Sequence, residues 1–382
     1  MRFSIAAISF AAAILASDAA SASGLGAILT TKDGGQVFGF DIDQHGNDGV
    51  LASGQTIDGN GDVKVSVETF DQDTGEIVKS FAKYTGMRHE YSVDGIFAGD
   101  VALVTHYVTP KGSIFPKRKY EVMNPVSGNR FTGGWLPPIK DIDVLQAGVN
   151  QDTFQSVLFA IELKKLDKPI LLVSDVAAGT FSKLIHLDPD LFGGADGPVL
   201  SQYTSAGKAV IALSPDAGRV GGIAPLNVIV DLSSGQMQQF SGYNNGEFHA
   251  GSVNGLAVDP NTGVGATTTE LNAQVEFYDM GTRTPISFAQ LPCTGDTSQS
   301  NSGAGIAIDP INKLFLVTDP FYCDGSQGSA LVIYDEQGNL VNTITGFHFA
   351  IGEPAPVINP SKRMGWTFGG PKGFSQLTQF FY

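Results

Sequence analysis

The sequence predicts an all-β protein: a seven-bladed β-propeller whose last blade is completed by an N-terminal strand. Three observations carry that expectation. Six apolar runs end in Asp or Asn with a Gly shortly after: Asp71 and Gly75, Asn124 and Gly128, Asp175 and Gly179, Asp231 and Gly235, Asp279 and Gly281, Asp335 and Gly338. These glycines lie 53, 51, 56, 46 and 57 residues apart, the length of a four-stranded unit with its loops. A second repeated element is the run Gly255-Leu256-Ala257-Val258-Asp259-Pro260, nearly copied at Gly305-Ile306-Ala307-Ile308-Asp309-Pro310 and echoed at Val357-Ile358-Asn359-Pro360. Composition agrees: charged residues make up only 16%, against about 25% usually, while there are 47 glycines and 10% aromatics. That balance suits short strands joined by tight turns.

Residues 1–22 read as a signal peptide: Arg2 is a thin positive start, Ile5 to Ala16 an apolar stretch, and Ala20-Ser21-Ala22 a small-residue cleavage site. The apolar stretch is shorter than the roughly 20 residues a membrane span requires and is broken by Asp18. A mature chain starting at Ser23, exported to a periplasm or the cell exterior, is therefore expected, with residues 23–382 forming one propeller domain and no later membrane span. The net charge of −15 lacks the basic face that nucleic-acid binding needs and suits solubility outside the cytoplasm.

Within a unit, the run before the Asp…Gly turn alternates. Val63, Val65 and Val67 interleave with Lys64, Ser66 and Glu68, which predicts a strand with one buried face. Asp71 then bonds nearby backbone and Gly75 takes positive φ, after which Ile77 to Phe81 forms the outer strand. The Gly-Leu-Ala-Val-Asp-Pro run marks the innermost strand, where small residues suit the crowded axis and Asp-Pro starts a turn. Asp259 and Asp309 are thereby structural. Blades fall near 36–82, 89–133, 139–187, 197–241, 249–292 and 302–345, with a seventh from about 353. That last unit has only three strands, Pro356 to Pro360, Lys362 to Phe368 and Ser375 to Tyr382. Its fourth comes from Ala27 to Thr31, which closes the ring and removes an exposed edge. A six-bladed ring with a stray tail is the alternative.

The strand and turn pattern resembles the NHL and YVTN type of β-propeller, with Asp279 and Asp335 at the end of the third strand as in those repeats. The resemblance covers nearly the whole mature chain and implies fold. That superfamily holds lactonases, lyases and interaction scaffolds, so function must come from the site.

Cys293 and Cys323 are the only cysteines, and in an exported chain a disulfide between them is expected. Cys293 follows the outer strand of the fifth blade, and Cys323 lies between the second and third strands of the sixth. In an up-and-down blade both kinds of loop emerge on one face. The same parity puts the long between-blade connections there, where binding chemistry is usually carried. Three of the six histidines fall in these connections beside carboxylates: His89 with Glu90, His249 with Glu247, and His348 with Glu353. Converging on the central channel, His89, His249 and His348 could hold a divalent metal ion or act in acid–base catalysis, with Asn254 and Asn301 as polar neighbours. The plain reading is solvated loop residues and caps.

Other signals are weaker. Asp58-Gly59-Asn60-Gly61-Asp62 spaces oxygen donors like the start of a calcium loop, but Val63 and Thr69 replace the Gly and Glu such a loop needs. Lys111, Lys117, Arg118 and Lys119 form a small basic patch that reads as a solvated loop. His106 beside Tyr107 reads as a core or flank residue. The expectation is a monomeric binding or interaction protein that meets a protein or small ligand through its disulfide-bearing face. The alternative is a metal-assisted lactonase- or lyase-like enzyme using the three loop histidines.

Overall fold

The computed structural model describes residues 23–56, 62–87, 92–97, 101–108, 117–124, 127, 129, 142–162, 168–175, 180–188, 199–203, 207–213, 226–241, 253–269, 274–291, 305–319, 329–347, 355–369 and 375–382. Strand β1 (Gly24–Thr30) passes through one turn of 3-10 helix, Lys32–Gly34, into a first sheet of β2 (Gln36–Ile42), β3 (Asp48–Thr56), β4 (Asp62–Asp71) and β5 (Ile77–Met87). A second sheet has three strands, β6 (Ser92–Phe97), β7 (Val101–Val108) and β8 (Lys117–Met123). The third holds β9 (Ile142–Asn150), β10 (Gln155–Glu162), β11 (Lys168–Asp175) and β12 (Thr180–His186). In the fourth are β13 (Val199–Tyr203), β14 (Lys208–Leu213), β15 (Leu226–Asp231) and β16 (Met237–Ser241). The fifth comprises β17 (Val253–Val258), β18 (Val264–Thr269), β19 (Gln274–Asp279) and β20 (Thr284–Gln290). The sixth comprises β21 (Ile306–Asp309), β22 (Leu314–Asp319), β23 (Ser329–Asp335) and β24 (Leu340–Phe347). A closing sheet joins β25 (Val357–Asn359), β26 (Met364–Phe368) and β27 (Gln376–Phe381) to β1.

Apart from β1, each strand pairs antiparallel with its sequence neighbour inside its sheet, and the innermost strand of each sheet contacts that of the next, with β25 returning to β2. This is an all-β propeller, with six four-stranded blades and a three-stranded sheet between the first and third sheets among the described residues. The N-terminal strand is no stray tail. It closes the last blade, Leu29 opposite Leu377 and Thr30 opposite Gln376.

The core lies between sheets. Leu51, Phe70 and Ile42 of the first sheet pack with Trp366, Phe368 and Leu377 of the closing sheet and with Leu29 of β1. Phe277 of the fifth sheet meets Phe315 and Tyr334 of the sixth, ring centroids 5.5 and 5.9 Å apart. Middle strands are thus sandwiched on both faces, and this corrects one expectation. Lys64 is exposed as the alternation of β4 suggests, but Glu68 is buried, because by that point of the strand its face lies against the closing sheet.

Candidate functional site

The two rims of the propeller are built differently. On one rim each sheet makes tight Asp or Asn turns whose hydrogen bonds are internal. Asp71 Oδ1 accepts from the backbone amides of Asp73 at 3.0 Å and Thr74 at 2.8 Å, and Gly75 closes the turn at φ +73°. Asp231 repeats this with Ser233 and Ser234, and Gly235 has φ +80°. The Ser233 hydroxyl first, then the Ser234 amide and hydroxyl, hold the Asp231 carboxyl far below the usual carboxylate range. Asp335 does the same for Gln337 and Asn339, and Asn124 for Ser127. In the fifth sheet the expected positive-φ residue is not Gly281: Arg283 takes that conformation at φ +62°.

The inner-strand turns add bonds between sheets. Asp259 and Asp309 are fully buried, and their Oδ1 atoms accept from the amides two and three residues on. Tyr382 of the closing sheet donates its hydroxyl to Asp309 Oδ2 at 3.0 Å. Burial first, and the Asp309 charge second, drive the Tyr382 phenol well above its ordinary value. Asn359 reaches Gln72 Oε1 at 3.3 Å, while Gln72 Nε2 donates to the carbonyls of Asp43 and Asp48 at 2.7 Å. Gln151 of the third sheet donates to Ile42 O at 2.9 Å and accepts from Gln44 N at 2.8 Å, joining the inner turns of the first and third sheets. His45 and Asp152 meet beside this junction at 2.9 Å. Most of the hydrogen bonds described on this rim tie turns together or join neighbouring sheets, although Asp259 Oδ2 is buried without a partner.

The opposite rim receives the longer connections. They run from Met87 to Ser92, His186 to Val199, Ser241 to Val253, Gln290 to Ile306 and Phe347 to Val357. Of the residues singled out in the sequence, Asn254 lies in β17 at the start of the fifth sheet. His89, Glu90, Glu247, His249, Asn301, His348, Glu353, Cys293 and Cys323 fall outside the described residues, as do Asp58 to Gly61 and Lys111. Lys117, Arg118 and Lys119 are in β8, paired with Val108, Tyr107 and His106 of β7, so these three occupy a strand and not the expected loop. Among the described residues no three His, Cys, Asp or Glu side chains gather as a metal site.

Between the fourth and fifth sheets lies a buried polar seam, which sequence reading missed. Glu276 lies in β19 with Tyr278 two residues on, and Thr267 of β18 is directly opposite Glu276. Tyr278 packs with Ile229 and Val210 of the fourth sheet, so the face it shares with Glu276 is turned to that sheet. Across the seam Asn227 shares a face of β15 with Ile229, and Phe240 opposite it stacks edge-on against Tyr278 at 5.7 Å. All four polar residues are buried, and Asn227 Oδ1, Thr267 Oγ1, Glu276 Oε2 and Tyr278 Oη have no hydrogen-bond partner. Desolvation alone pushes the Glu276 carboxyl up to about 8. A buried polar atom left unpaired costs about 1–3 kcal/mol, so four in one seam are a concentrated departure from normal packing. A single buried Glu in an apolar-looking strand gives no warning of this, because two of its three companions come from other strands, Thr267 from β18 and Asn227 from β15 of the next sheet.

No family model and no curated protein matches the sequence. Solved structures match in fold. The crystal structure of the RRP9 WD40 repeats superimposes with a TM-score of 0.61 at 12% identity, covering 94% of this chain and 99% of that one. The Myceliophteria_thermophila Cps50 (Swd1) beta-propeller domain gives 0.57 at 13%, with 94% and 99% covered, and the Dos1 propeller 0.54 at 10%, with 94% of each covered. Together with the sheet order, these define the class: the chain has a β-propeller fold.

Proposed function

We propose that this chain is an exported binding scaffold, residues 23–382 forming one seven-bladed ring in which the three-stranded sheet is the second blade. The observation that carries the reading is the contrast between rims. One spends its polar groups on turns and on bonds between sheets, so recognition falls to the rim that receives the long connections. The Asp residues ending the third strands support an NHL- or YVTN-type repeat. Strand parity supports a Cys293–Cys323 disulfide on the binding rim: the connections Gln290 to Ile306 and Asp319 to Ser329, which carry the two cysteines, leave the sheets on the same side. The partner is a protein or small ligand met by a monomer.

Affinity capture from the envelope fraction of the source cell tests this. A partner retained by wild type should be lost when Glu247, His249 and His348 are changed together to alanine, and kept when Asp73 and Thr74 of the turn rim are changed. The reverse pattern would overturn the assignment of the rim. Intact mass should show a chain starting at Ser23 and two thiols that do not react until reduced.

A further inference from the structure

The repeat supplies its own control for the polar seam. Its four places are the residue four before the turn Asp on one sheet and, on the next, the residues three and one before the turn Asp plus the second-strand residue opposite the former. Between the third and fourth sheets these are Leu171, Val228, Val230 and Ile211, all in one apolar cluster. Between the fifth and sixth they are Val275, Val332, Tyr334 and Val317, again one cluster, and the Tyr334 hydroxyl there reaches Gln290 O at 3.4 Å. Between the fourth and fifth they are Asn227, Glu276, Tyr278 and Thr267, whose four unpartnered atoms are all oxygens.

The guest for such a set is constrained. Asn227 Oδ1 only accepts, so whatever meets it carries a donor hydrogen or a positive charge. The unpartnered atoms are almost wholly shielded from solvent, which excludes an organic ligand and points to a bare ion. Three of the oxygens are neutral and one belongs to a carboxylate, so a single positive charge balances the seam, whereas a divalent ion would leave a buried charge uncompensated. Neutral protein oxygens can replace the hydration shell of a monovalent ion. We propose that the seam between the fourth and fifth sheets binds one desolvated alkali-metal cation, Na⁺ or K⁺, through Asn227 Oδ1, Thr267 Oγ1, Glu276 and Tyr278 Oη.

The test is thermal melting of the mature protein at pH 8.5 in NaCl, KCl or choline chloride at equal ionic strength. Na⁺ or K⁺ should raise the midpoint by a few degrees over choline, saturably, and the better ion is the one that fits. Glu276→Gln should lose that dependence. Should Glu276→Gln not fold, the double variant Thr267→Val with Glu276→Val, which copies the side chains at those places between the fifth and sixth sheets, should fold and melt alike in all three salts. Equal midpoints for wild type in the three salts, or the same alkali dependence in the variants, would overturn the proposal. So would crystals grown in RbCl that show only waters at the four oxygens, with no anomalous rubidium peak.

Discussion

At the scale of single residues, the turn rim shows how much depends on individual atoms. Tyr382 directly follows β27, and its hydroxyl reaches Asp309 Oδ2 in the neighbouring sheet. Tyr382→Phe removes one donor to a buried carboxylate and should cost about 1.5–3 kcal/mol in urea unfolding, the range for hydrogen bonds to charged groups. Two glycines separate backbone strain from crowding. Gly338 has φ +79°, and a Cβ there would sit 2.6 Å from Ser287 Oγ and 3.0 Å from the Phe277 ring. Gly207 has φ +64° with open space around it. Gly207→Ala should therefore lose only about 1–2 kcal/mol from the left-handed backbone, and Gly338→Ala clearly more, as chemical denaturation of the two variants would show.

At the scale of strands, β1 is the element whose contribution is easiest to isolate. It pairs along β27 and buries Leu29 against Trp366 and Leu377. A chain beginning at Lys32 would leave the β27 edge unpaired and an apolar surface open, and light scattering should show more association than for a chain that keeps β1. The third strands of the first six sheets were legible in the sequence because a turn Asp or Asn marks where each ends, and an Asp-Pro or Asn-Pro marks the end of three innermost strands. Facing was less so. Glu68 looks like an outward residue from its alternation with Val65 and Val67, but a third strand is covered by a sheet on each side. Gly281 illustrates a second limit: the sequence marks a turn there, yet the positive-φ conformation passes to Arg283 two residues on.

At the scale of the whole molecule, Glu276 couples the ring to pH. In choline chloride its carboxyl holds a proton up to about 8 in the folded chain, while the unfolded chain releases it near 4.3. Between those values the folded state binds the extra proton, so raising the pH favours unfolding by up to ~1.4 kcal/mol per pH unit. Stability should fall across that window and level off above it, and Glu276→Gln should flatten the profile in parallel denaturation curves. What the sequence by itself determined is the repeat: its unit length, the turn residues that end the strands, and the N-terminal strand that completes the last sheet. These are local signals, each written in a few consecutive residues. The tertiary structure alone decided which polar groups are stranded. Asn227, Thr267, Glu276 and Tyr278 come from three strands of two sheets, and they become neighbours only when the ring packs one sheet against the next and excludes water from the seam.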